Sequence, residues 1–148
     1  MKKQIYTTLK ALIFATIVLC FSGCATISQF DQYAYSQSTS LKVDVNNLMG
    51  MATDKFSSHQ QEVTFLQTSV AKMLEYEKNR PKNDISEKMW TILNDPNGNL
   101  FGGFIARWQK EGTLDPDFIK EMQNLVAKSF DQISQLESGK IKASQITN

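Results

Sequence analysis

From residue 28 to residue 78 the chain contains no proline and a single glycine, Gly50. Apolar side chains recur at Phe30, Ala34, Leu41, Val45, Leu48, Ala52, Phe56, Val63, Leu66, Val70 and Met73, and from Leu41 onward the steps are mostly four and three. This is the seam of a coiled-coil type helix, with a stutter where two fours follow each other at Leu48, Ala52 and Phe56. Unbroken, such a helix would run roughly 75 Å. A chain this small must either project it or bend it, and the candidate bends are Gly50 and the pair Ser57 and Ser58. His59 falls on the seam. Residues 36–40, rich in Ser, Thr and Gln, read as a polar tether or as the start of this first helix. Pro81 disfavours helix at Arg80 and ends the span.

The rest of the chain predicts three more helices. Asp84 with Glu87 reads as a variant capping box, and Ile85, Met89, Ile92 and Leu93 then give a short amphipathic helix with Trp90 beside them. The run 94–99 (NDPNGN) is a strong turn, because Pro96 fixes φ and Gly98 accepts φ > 0. A second short helix is expected over 100–110, weakened by Gly102 and Gly103 and closed by Gly112. Asp115, Pro116 and Asp117 form a good helix start. Phe118, Met122, Leu125, Val126, Phe130, Ile133 and Leu136 carry that helix for about six turns, to near Gly139. No strand pattern competes. The expectation is an all-α bundle of about four helices, in the order long, short, short, long, with the two long ones antiparallel. Its folded part is residues 41–138, and 139–148 is a polar, loose tail.

The amino terminus changes this picture. Lys2, Lys3 and Lys10 precede residues 11–21 (ALIFATIVLCF), an apolar run of eleven with one Thr. That suits the apolar core of a signal peptide and is too short to span a membrane, which takes about 20 residues. Phe21, Ser22, Gly23 and Cys24 follow directly. This tetrad resembles the lipobox of bacterial lipoproteins, with Phe21 where the family prefers Leu. The resemblance covers residues 2–24. It implies diacylglycerol on the Cys24 sulfur, removal of residues 1–23, and a mature protein held on a membrane by its acyl chains. Ala25 rather than Asp after the cysteine implies, in a Gram-negative envelope, the outer membrane with the domain facing the periplasm.

Of the 148 residues, processing would leave 125, enough for one domain and one modest core. All 15 acidic residues lie after Gly23, whereas three of the 16 basic residues lie before it. The net charge therefore moves from +1 to −2. That balance lacks the basic footprint of a nucleic-acid binder. Cys20 would leave with the signal peptide, so no disulfide is expected.

Catalytic and cofactor motifs are absent from the sequence. His59 is the only histidine and has no thiolate or second histidine to share a metal with, so no metal site and no cofactor are expected. No G-x-S-x-G, Walker or G-x-G-x-x-G pattern occurs. Glu75 and Glu77, two apart, point in different directions on a helix and suggest no acid-base pair. The most distinctive group is aromatic: Trp90, Leu100, Phe101, Phe104, Ile105 and Trp108 fall within 19 residues, beside glycines. They either cap the core or, through Trp90, Phe101, Phe104 and Trp108, offer an apolar surface to a protein partner. The functional expectation is a non-enzymatic envelope lipoprotein anchored to the membrane through Cys24, working as an interaction, assembly or structural factor. Small helical outer-membrane lipoproteins such as secretin pilotins are similar in size and design. The alternative is an inhibitor or exclusion lipoprotein acting on a toxin, a phage or an envelope hydrolase.

Overall fold

The computed structural model describes residues 30–146. They form five helices: α1 (Gln32–Gly50), α2 (Gln60–Lys78), α3 (Asp84–Asn94), α4 (Phe101–Glu111) and α5 (Pro116–Glu137). Among the described residues there is no strand, so the all-α expectation holds. The expected signal peptide and Cys24 lie outside the described residues. The polar stretch 36–40 is part of α1 rather than a tether.

The first long helix is two helices. Its seam divides at a break of nine residues that begins directly after Gly50 and takes in Ser57 and Ser58, with short 3₁₀ turns at Met51–Thr53 and Phe56–Ser58. Asp54 and Lys55 between them are extended. The break is held from outside: the Phe56 amide donates to Gly112 O at 2.8 Å, and the Leu114 amide donates to Ala52 O at 2.8 Å. The Trp108 indole also donates to Asp54 O at 3.1 Å. These bonds replace the helical partners that the loop gives up. The projecting rod is thereby excluded, and the order becomes long, long, short, short, long.

α1 and α5 lie antiparallel, as the long helices were expected to. Three contacts run in opposite directions along the pair: Ser38 Oγ to Ser134 Oγ at 3.0 Å, Lys42 Nζ to Asp131 Oδ1 at 2.6 Å, and Gln123 Nε2 to Asn46 O at 2.8 Å. Helix ends follow local chemistry. Asp31 caps α1 by accepting from the Ala34 amide, and Asp115 caps α5 by accepting from the Asp117 and Phe118 amides, with Pro116 in the first turn. Gly112 and Gly139 take φ of 84° and 72° just past α4 and α5, the left-handed closure that glycine makes without strain. The capping box expected at Asp84 is not formed. Asn83 is the cap residue, and its side chain turns away to Glu77.

The predicted seam is the core. Leu41, Val45, Leu48, Ala52, Val63, Leu66, Val70 and Met73 are all buried, facing Trp90, Phe104, Trp108, Val126 and Phe130. Gly102 and Gly103 let the start of α4 press onto the preceding turn. A Cβ on Gly103 would stand 1.8 Å from Gly98 O, and one on Gly102 would stand 2.4 Å from Asn94 O.

Candidate functional site

The four aromatic residues expected to offer a surface do not. Trp90, Phe101 and Trp108 are 0% exposed and Phe104 is 1%. Trp90 meets Phe130 edge-on at 5.8 Å, and Trp108 meets Phe56 edge-on at 5.4 Å. They close the end of the bundle where α4 is clasped between the break and α5. The interaction-surface reading of these residues is therefore withdrawn: large rings beside two glycines pack inward because the glycines allow the backbones to approach. His59 belongs to the same clasp. Its Nε2 lies 3.3 Å from Asp54 Oδ2 and its ring 5.7 Å from Trp108, while Nδ1 is buried with no partner. Among the described residues no hydroxyl or thiol hydrogen-bonds to the ring. Among the described residues no group of three His, Cys, Asp or Glu side chains is placed to hold a metal ion.

At the opposite end the structure assembles charged groups that sequence spacing did not pair. Glu77 from the end of α2 and Glu137 from the end of α5 are 0% and 5% exposed. Arg80 Nη1 stands between them, 2.8 Å from Glu77 Oε2 and 2.9 Å from Glu137 Oε2. Asn83 donates to Glu77 Oε2, and Ser86 Oγ donates to Glu137 Oε1 at 2.6 Å. Arg80 Nε lies 3.7 Å from Asp31 Oδ2, which accepts from the Tyr76 hydroxyl at 2.7 Å. Burial first, and the Glu137 charge second, push Glu77 above the ordinary carboxylate range, against the pull of Asn83 and Arg80. Burial also raises Asp31, but Tyr76, the Ala34 amide and Arg80 together outweigh it and leave Asp31 below its ordinary value. The Tyr76 hydroxyl, donating to Asp31, is pushed up to about 12.

A carboxyl raised by a like-charged neighbour is the signature of many acid-base sites. Here each of the four Glu77 and Glu137 oxygens already accepts from the chain itself, through Arg80, Asn83 or Ser86. Both carboxylates are buried and bound within the chain, and the cluster works as a pin joining α1, α2, α3 and α5. Its signal was present in the sequence. Glu77 continues the seam of Val63, Leu66, Val70 and Met73 at the next step of four, and Glu137 falls four after Ile133. A carboxylate at an apolar register position must find partners or unfold its helix end.

Compared with protein families, with curated proteins and with solved structures, the chain matches none of them.

What remains for binding lies on the outer faces of the helices. Between the carboxyl half of α1 and the amino half of α2, a groove is lined by Leu48, Met51, Phe65 and Leu66 and edged by Asp44 and Glu62. Phe65 is 68% exposed and Met51 42%. Phe65 is off the seam, next to Leu66 in sequence, which is why periodicity alone gave it no role.

Proposed function

We propose that the chain is a bacterial envelope lipoprotein, held on the membrane through acylated Cys24, whose helical domain acts by binding another protein. In a Gram-negative envelope its place is the outer membrane, facing the periplasm. Two supports stand behind the reading. The tetrad Phe21-Ser22-Gly23-Cys24 supports the anchor, and no helix among the described residues is long and apolar enough to cross a membrane in its stead. The observation that carries the binding role is Phe65. A phenylalanine two-thirds exposed, beside exposed Met51 and inside a rim of Asp44, Asn47, Gln61 and Glu62, has the anchor-and-polar-rim form of a protein contact. The two rim carboxylates suit a partner that is basic around an apolar centre.

Cys24→Ala should abolish acyl labelling and leave an uncleaved precursor. Cleavage after Gly23 with unchanged membrane retention would refute the anchor. For the surface, a photo-crosslinking residue at position 65 in the full chain should give one discrete adduct with another protein. The same probe at Gln67, an exposed position on a different face of α2, should not. No adduct at 65, or the same adducts from both positions, would refute the assigned surface.

A further inference from the structure

A second groove runs between α3 and α5 and encloses about 510 Å³. Its walls are Ile85, Met89 and Ile92 from α3 and Leu125 from α5, with Leu100 between the helices. Ile92 is 46% exposed and Leu125 43%, although both stand in the apolar registers of their helices. The bundle therefore leaves a strip of aliphatic surface that its own packing does not cover. The charged groups on the groove are Lys88 on one wall and Lys128 on the other, and Ser129 and Gln132 are its neutral polar groups. No carboxylate lines it, and among the described residues neither lysine is in an ion pair. Ile146, from the tail, adds one more aliphatic side chain to the lining.

We propose that this groove binds a long-chain fatty acid, the alkyl chain laid along the aliphatic strip and the carboxylate held between Lys88 and Lys128. Charge and size select this occupant. Two cations on opposite walls, with no carboxylate in the lining between them, match one anionic head, and the aliphatic walls match an alkyl tail. The volume lies within the range of small-molecule sites. The site is separate from the α1–α2 surface and stands or falls independently of it.

The test uses the full chain in phosphatidylcholine nanodiscs, photolabelled with a diazirine analogue of palmitic acid, with labelled peptides mapped by mass spectrometry. Label should concentrate on residues 85–92 and 125–133. Palmitate should compete roughly tenfold better than hexadecanol, the difference two partly exposed ion pairs provide. Lys88→Gln with Lys128→Gln should bring palmitate down to the hexadecanol level. Leu125→Trp, which fills the groove from an exposed position, should remove the label while circular dichroism and thermal midpoint stay at the parent values. Ile92→Trp serves the same purpose if that variant does not fold. Label shared equally with Phe65 and with Val43, an exposed apolar residue of α1, would overturn the site, as would label unaffected by the tryptophan that folds. Equal competition by hexadecanol would overturn the carboxylate. A photo-crosslinker at position 92 that yields a dimer of this chain, or an adduct with another protein, would give the groove to those occupants and overturn the proposal as well.

Discussion

Arg80→Met probes the charged pin with little change in volume. The Arg80 side chain is 10% exposed and is the cation that the buried carboxylates Glu77 and Glu137 share. Methionine keeps an unbranched stem against Tyr76 but leaves two carboxylates with no counter-charge. Removing one partner of a buried ion pair costs about 3–5 kcal/mol. A domain of this size has about 5–15 kcal/mol in all, so a third or more of its stability is at stake. The thermal midpoint should fall by roughly 10–20 °C. The loss must also depend on pH. Glu77 has a folded-state pKa above its ordinary 4.5, so the folded chain holds that proton more tightly than the unfolded chain does. Its contribution is therefore fully present below about 4.5 and is lost as pH rises through the folded value. Without Arg80 the folded value climbs further, so Arg80→Met should cost much less at pH 4.5 than at pH 7. Adding Glu77→Gln to Arg80→Met should recover part of the loss at pH 7, because one uncompensated charge is gone. Urea unfolding of the four chains of this cycle, at both pH values, measures the coupling. A cost under about 1 kcal/mol at pH 7, or one that is the same at both pH values, would show that the pin is not electrostatic.

Three further outcomes follow from other contacts. Gly103→Ala gains about 1 kcal/mol of helix propensity but drives a methyl into Gly98 O, so overpacking of about 1–3 kcal/mol or more should win; a neutral or raised urea midpoint would contradict the close approach. Trp108→Ala should cost about 3–5 kcal/mol and leave Asp54 O without its indole donor, and a thermal midpoint within a few degrees of the parent would return Trp108 to the surface. Tyr76→Phe should cost about 1 kcal/mol and raise the Asp31 pKa toward 3.8, because the hydroxyl helps hold it down. Asp31 contributes stability above 3.8 that is lost as pH falls through its folded value, so in this variant the acid-side loss should be smaller and complete at higher pH, and an unchanged Asp31 titration by NMR would refute the assignment.

Helix identity was legible in the sequence because it depends on neighbours a few residues away. The three-and-four spacing from Leu41 to Met73, the stop at Pro81, the turn at Pro96–Gly98, the Asp115 cap and the glycine closures at 112 and 139 are local physics, and the core face of α1 and α2 followed from them. The break at 51–59 was visible only as a choice between rod and bend. The seam is compatible with either, and the bend is decided by bonds from Gly112, Leu114 and Trp108, more than fifty residues away. The aromatic group shows the same limit. Composition located six large apolar side chains near two glycines but could not say whether they faced in or out, since that depends on whether another element covers them. The break and α5 cover them, and the rings are core. Conversely, Ile92 and Leu125 sit in apolar registers and are left partly bare, because none of the described helices covers them. The charged pin needed the most from the tertiary structure. Glu77 and Glu137 each stood in an apolar register, but their sharing of one arginine depends on α2 and α5 ending at the same end of the bundle. Spacing along the chain sets which face of a helix is apolar; which faces meet is decided by the packing of all five.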